Sequence, residues 1–208
     1  MTDQEFETAL VDAAFALGAE AGWRRVSPAA AARHAGLDLA RARGLFPCTG
    51  AILKKFGRLA DAAVLRHRAA DGSVRDRLFD ILLRRFDYLQ THRAGVAALL
   101  RVLPFCPPLA LALAEMNLAS MGWLLEGAGV EATGIRGALR KRGLLAVWLY
   151  GLRAWAEDES PDLTATMAAV DTALARAETF AERFHLPARP RQNLSHQNRR
   201  PPPVKPGL

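Results

Sequence analysis

Residues 23–46 read WRRVSPAAAARHAGLDLARARGLF, and the reading of this stretch decides the fold. Ser27 is a suitable N-cap, and Pro28 follows at the first helical position, where a missing N–H costs nothing. Ala29 to His34 are mostly strong helix formers. Gly36, between Ala35 and Leu37, supplies the backbone freedom that a sharp turn needs. Asp38 caps a second helix, Leu39 to Leu45, which Pro47 stops. A short helix, a glycine-bearing turn and an arginine-bearing helix describe a helix-turn-helix. An ordinary helical hairpin has the same pattern, so the pattern alone leaves both open.

Upstream, a helix is predicted from Asp3 to Ala21, with Phe6, Leu10, Ala13, Ala14 and Leu17 at helical spacing. Asp3, Glu5 and Glu7 suit the positive end of its dipole, and Gly22 ends it. Trp23 and Val26 are expected to pack under the next helix. Downstream, a fourth helix runs from Thr49 to about Arg68 and buries Ile52, Leu53, Phe56, Leu59, Ala60 and Ala63. Asp71 and Gly72 break it, and Ser73 caps a helix with Leu78, Leu82, Phe86 and Leu89 on one side and mixed Asp and Arg on the other.

A short helix, Ala94 to Leu103, stops at Pro104, Pro107 and Pro108. Leu109 to Leu125 is apolar nearly all round, which predicts a buried helix or one that lines an apolar cavity. GAGVEATG, residues 127–134, reads as a plain linker. Two long helices follow, about Ile135 to Ala156 and about Leu163 to Phe184, the second capped by Asp162. Leu145, Trp148, Leu152 and Trp155 on one, and Leu163, Met167, Val170, Leu174, Ala177, Ala181 and Phe184 on the other, recur at three- and four-residue steps. The seam packs one helix on the other within the chain, or serves a two-fold homodimer interface as well. For that interface the candidates are Leu152, Trp155, Met167, Val170, Leu174 and Ala181.

The composition bounds the rest. Half the residues are hydrophobic but only 7% aromatic, with Ala, Leu and Arg dominant, so an all-α fold of about nine helices is expected. The net charge of +7 suits an anionic partner. Between residues 22 and 68 the bases Arg24, Arg25, Arg33, Arg41, Arg43, Lys54, Lys55, Arg58, Arg66 and Arg68 face only Asp38 and Asp61. Residues 69–184 nearly balance, which argues against a general inflation of arginine. Cys48 and Cys106 have no paired spacing, and the acidic, amphipathic N-terminus is no signal peptide. No uncharged apolar run reaches bilayer length, the nearest being Phe105 to Leu125, so a cytoplasmic protein without stable membrane insertion is expected. The tail from Leu186, rich in Pro, Arg, Asn and Gln, is expected to be disordered. The predicted organisation is a helix-turn-helix module at 1–48, a helical ligand-binding and dimerisation domain at 49–185, and a basic tail at 186–208.

The order of elements resembles the TetR-type one-component regulators, most clearly over Ala9 to Phe46, ALVDAAFALGAEAGWRRVSPAAAARHAGLDLARARGLF. Gly22-Trp23 stands before the first turn, Ala35-Gly36-Leu37 at the second, and Phe46 where that family carries an aromatic after its recognition helix. The resemblance implies a homodimer that binds double-stranded DNA under the control of a small hydrophobic ligand. Two positions depart from it. Arg43 stands where the family has a phosphate-touching Tyr, and Thr49 where it has a phosphate-touching Lys. A second stretch, LRKRGLLAVWLYGLRAWAEDESPDLTATMAAVDTALARAE, is similar to the lipid-binding accessory proteins of ubiquinone biosynthesis, which share that fold. Lys141-Arg142, Tyr150 and the run Asp158-Glu159-Ser160-Pro161-Asp162 carry the likeness, which implies a lipid or quinone ligand and a vestigial helix-turn-helix.

On the first reading Ser27 offers its hydroxyl to a phosphate, while Arg33, Leu39, Ala40, Arg41 and Arg43 face the major groove. Arg41 is then the candidate for a guanine edge, and Thr49, Lys54 and Lys55 track the backbone. An apolar cavity is expected among Leu82, Phe86, Val96, Leu100, Leu113, Met116, Met121, Trp123, Leu145, Trp148 and Leu149. The histidines are scattered, the acids Glu157, Asp158 and Glu159 read as a solvated loop, and no nucleophile or phosphate loop is found. A non-enzymatic protein without cofactor or metal is expected.

Overall fold

Capping chemistry sets where the helices begin. The Thr2 hydroxyl accepts the Glu5 N–H at 3.2 Å while the Glu5 carboxylate accepts the Thr2 N–H at 2.7 Å, and this reciprocal box opens α1, Asp3–Ala21. Ser27 and Pro28 open α2, Pro28–His34, and Asp38 opens α3, Leu39–Leu45. The remaining helices are α4, Thr49–Leu65; α5, Val74–Gln90; α6, Arg93–Val102; α7, Pro107–Gly127; α8, Gly134–Glu157; and α9, Thr164–Arg183. The computed structural model describes residues 1–67 and 71–183, and these hold helices and turns but no strand. The fold is all-α, as the composition implies. Arg68, Phe184 and the tail from Leu186 lie outside the described residues.

α1 is the spine of the N-terminal half. Phe6, Leu10, Val11, Ala14 and Phe15 are each at most 1% exposed, packed between α2, α4 and α6. Its contact with α6 is unusually close. A methyl group at Gly95 would lie 2.5 Å from the Phe15 carbonyl oxygen and 2.9 Å from Phe15 Cβ. Trp23 seals the same joint, its indole N–H donating to the Gly95 carbonyl at 2.8 Å and its ring lying edge-on to Phe15. Beside it Phe15 stacks on Phe56 of α4, and His92 sits over both rings while holding Asp12 of α1 at 2.9 Å. Tyr88 borders this cluster, and burial, aided by the Asp12 charge, pushes its phenol up to about 12.

Several expectations change in the C-terminal half. Residues 127–134 are not a plain linker: Ala128 and Val130 are each 1% exposed, and the chain passes so close to α8 that a methyl at Gly137 would meet the Ala132 carbonyl carbon at 2.1 Å. Small residues on both sides permit that approach. Nor is α7 buried all round. Its buried residues are Ser120, Met121, Leu124 and Leu125, all in its second half, packed toward α4 and α8. With 21 residues and a mean hydropathy of 1.3, α7 is long and apolar enough to cross a membrane by length and composition.

The third change concerns the seam of the last two helices. Trp155, Val170 and Leu174 are 0%, 0% and 4% exposed within the single chain. Gly151 lets α9 and α5 close in, since a methyl there would lie 2.8 Å from Val170 Cγ2 and 3.0 Å from Phe86 Cζ. The three- and four-residue steps therefore encode packing of α8 on α9 within one chain. Those three residues are not available to a second copy, and Leu152, Met167 and Ala181 border the same seam with partial exposure.

The start of α9 also differs from expectation. Asp162 accepts the Thr164 hydroxyl at 2.7 Å, and the Thr164 amide and the Ser160 hydroxyl also favour its charged form. It shares the capping with the residues just after α8. Asp158 Oδ2 accepts the Thr166 N–H and hydroxyl, both at 2.8 Å, and Ser160 Oγ accepts the Thr164 N–H at 3.0 Å. Asp158 Oδ1 takes the Ser160 N–H at 3.0 Å and its hydroxyl at 2.5 Å. Asp158 is thus 5% exposed rather than part of a solvated acidic loop. Leu163 lies in the left-handed region at φ 55°, a strained choice for a branched residue, and its burial at 5% offsets that strain.

The Ser160 hydroxyl, then the Thr166 amide and hydroxyl, hold the Asp158 carboxyl well below the usual carboxylate range. A depressed folded-state pKa contributes stability above the ordinary value of 3.8 and loses it as pH falls below that value. Asp158→Ala is expected to lower the unfolding free energy by about 2–3 kcal/mol near neutral pH. The gap between variant and wild type should narrow at about pH 3, and urea titrations at both pH values check this. Gly95→Ala should cost about 2–3 kcal/mol by forcing α6 off α1, read from the same titrations.

Candidate nucleic-acid interface and buried polar core

The helix-turn-helix is built on alanine. Ala31 and Ala32 of α2 and Ala42 of α3 are at most 1% exposed, so two seven-residue helices approach closely over α1 and Phe46. Ser27 Oγ accepts the Ala30 N–H at 3.1 Å, and Asp38 Oδ1 accepts the Arg41 N–H at 2.6 Å. Gly36, at φ 66°, takes the left-handed conformation that the turn requires, and the Leu37 N–H closes it onto the Ala32 carbonyl at 2.8 Å.

The outer face is basic. Arg33 and His34 of α2, Leu39, Ala40 and Arg43 of α3, and Lys54 of α4 are exposed. Arg24 and Arg25, in the turn after α1, are exposed as well.

Three of the expected contact residues turn inward. Arg41 donates through Nε to Asp3 Oδ1 at 3.1 Å, bonds the Met1 carbonyl at 3.3 Å, and lies with its guanidinium carbon 4.6 Å from the Phe6 ring centroid. It is a strut between α3 and the start of α1, not a free reader of a guanine edge. Lys55 pairs with Glu7, both side chains about three-quarters buried. The Thr49 hydroxyl donates to the Val26 carbonyl at 3.1 Å and so ties α4 to the segment before α2. The acids Asp3 and Glu7 on α1 thus decide which cations are withdrawn. Sequence spacing did not reveal this, because the partners are 38 and 48 residues apart.

Of the expected cavity residues, Leu82, Phe86, Met121 and Trp148 come together in the core, each at most 2% exposed, with Phe86 stacked on Trp148 at 4.5 Å. Leu113, Met116 and Leu145 are partly exposed around them. Val96 and Leu100 belong to α6, whose main neighbour is α1. Trp123 and Leu149, 66% and 49% exposed, lie on the outside and do not line an interior cavity of the single chain.

That core holds a polar group the sequence reading missed. Arg85 of α5 is 4% exposed. Its Nη1 donates to Ser120 Oγ at 2.6 Å and pairs with Asp61 Oδ1 at 2.9 Å, while Nη2 reaches Asn117 Oδ1 at 3.3 Å. Ser120 also bonds Asp61, and the guanidinium carbon lies 4.7 Å from the Trp148 ring centroid. Burial lowers the Arg85 pKa, and the Asp61 carboxylate opposes that shift. Spacing carried a signal for it: Arg85 falls at Leu78, Leu82, Arg85, Leu89, on the apolar stripe of α5 rather than on its outer side.

No family model matches this chain, and no curated protein matches it either. Solved structures do. A TetR transcriptional regulator from Nitrosomonas europaea aligns over 83% of this chain and 97% of its own, at 19% identity and a TM-score of 0.67. A TetR-family regulator from Streptomyces coelicolor aligns over 89% and 87%, at 19% identity and a TM-score of 0.58. One from Syntrophomonas wolfei aligns over 87% and 97%, at 12% identity and a TM-score of 0.57. At these identities the likeness is one of architecture, and the chain has the fold of the TetR-type regulators.

Proposed function

We propose that this protein is a homodimeric, DNA-binding transcriptional regulator controlled by a small hydrophobic ligand. The observation that carries the reading is the division of charge in the N-terminal module. Arg41 and Lys55 are neutralised by α1, whereas Arg33, Arg43 and Lys54 point outward from three consecutive helices beside the small, exposed Ala40. A surface of that kind follows a phosphate backbone while a slim helix enters the major groove. Arg43 and Arg33 are the leading contacts, with the Ser27 hydroxyl at the edge of the same face. Arg41 acts by fixing the angle of α3.

Two copies place two such helices on successive turns of one face of the duplex. The surface offered for pairing is the outer stripe of α8, where Leu139, Leu149 and Tyr150 are 48%, 49% and 47% exposed. The adjoining face of α9 carries small residues, with Ala165, Ala168 and Thr172 exposed. Ligand in the core acts on α4, which links the DNA module to α5 and α7. A lipid-binding accessory role uses the same core without DNA.

Anisotropy titrations of a mixed-sequence duplex across salt concentrations test the reading. Affinity should fall steeply with salt, and Arg33→Ala, Arg43→Ala and Lys54→Ala should each lower the logarithmic salt slope by about 0.9. Arg41→Ala should leave the slope unchanged. Absence of salt-dependent duplex binding would overturn the proposal and favour the accessory role. Sedimentation should give twice the 22.6 kDa chain mass, and Leu149→Glu should shift it toward one chain.

A further inference from the structure

Two buried donors in the core are unspent. Arg85 commits both terminal nitrogens to Asp61, Ser120 and Asn117, but its Nε–H has no acceptor. The indole N–H of Trp148, whose ring lies against the same guanidinium, has none either. The two residues are 4% and 2% exposed. An N–H removed from water without an acceptor is destabilising, and two on adjacent side chains mark a place built for an oxygen. Charge then selects the kind of oxygen. Asp61 already neutralises Arg85, so a carboxylate or phosphate ligand would leave a net negative charge among Leu82, Phe86 and Met121. A carbonyl oxygen has lone pairs enough for two donors and adds no charge.

Access comes from α7. None of its residues before Ser120 is buried, and on that half Asn117, which meets Arg85, and its neighbour Met116 are partly open. We propose that the effector is an uncharged, apolar molecule with one carbonyl-type oxygen, held by Arg85 Nε–H and Trp148 Nε1–H between α5, α7 and α8. This rests on the ligand-controlled reading above and names the chemistry of its ligand.

Isothermal titration of the full chain with nonanone, nonanoate and nonane at neutral pH tests it, since the three probes share a chain and differ in the head group. Nonanone should bind at least about tenfold more tightly than either of the others. Trp148→Phe keeps a ring against Phe86 but lacks the donor, and it should bind nonanone no better than nonane. Arg85→Lys keeps the charge opposite Asp61, lacks the Nε–H, and should behave alike; it carries the comparison if Trp148→Phe melts below the assay temperature. Tighter binding of nonanoate, equal binding of nonanone and nonane, no binding of any probe, or an unchanged ketone preference in both variants would overturn the proposal. Duplex binding by the ligand-free chain is measured apart from this, so failure of either claim shows separately.

Discussion

The structure depends on one close approach, that of α6 onto α1 at Gly95. The Phe15 carbonyl occupies the space where a side chain at position 95 would stand, and the Trp23 indole bonds the Gly95 carbonyl. The helix that supports the helix-turn-helix is therefore also a core element of the C-terminal half. Phe56, Tyr88 and His92 extend the joint to α4 and α5. With so many rings in contact, the N-terminal module has little freedom to pivot independently on a loop. A change in the packing of α4, α5 or α6 reaches α2 and α3 through solid contacts.

Given that rigid support, charge placement determines what the module can touch. The Arg41–Asp3 pair is partly exposed, 32% and 73% by side chain, and is worth about 1 kcal/mol or less. The stack on Phe6 adds about 0.5–1 kcal/mol. These energies are too small to hold the fold together. They are large enough to keep a long side chain in one rotamer and so to set the tilt of a seven-residue helix. Arg33 and Arg43 have no such tie to α1 and remain exposed to solvent.

The local grammar of the chain was legible in the sequence, because caps and breakers act over three or four residues. Ser27-Pro28, Gly36 and Asp38 mark the same boundaries in sequence and structure, and so does Ser73 with its Asp76 partner. What the sequence hid was long-range. The withdrawal of Arg41, Lys55 and Thr49 depends on partners 23 to 48 residues away, which no local pattern names. Asp158 looked solvated because it stands among acids, yet its four donors come from Ser160 and from Thr166, a turn into the next helix. The seam of α8 and α9 was visible in its spacing, but spacing does not say whether the opposing helix belongs to the same chain. Burial of Trp155 and Val170 within one chain answers that. Arg85 was the one misreading that periodicity itself could have corrected.

Arg85 also bears on the ligand control proposed for this protein. A buried ion pair is seldom the most stable way to fill a core, since apolar residues of similar volume pack as well without losing hydration. Stability alone is therefore a poor reason for Asp61 and Arg85 to be there. Their placement gives a better one. Asp61 sits near the end of α4, Arg85 in the middle of α5, and on α7 Asn117 is partly open and Ser120 buried. One guanidinium thus reads the mutual position of three helices, and α4 is the helix that follows the N-terminal module. An oxygen placed on the remaining donor of that guanidinium stabilises one arrangement of the three over others. A ligand shifts an equilibrium only by its difference in affinity for the two states. A shared hydrogen-bonding group whose partners lie on separate helices supplies such a difference, whereas a uniformly apolar pocket that slides without penalty does not.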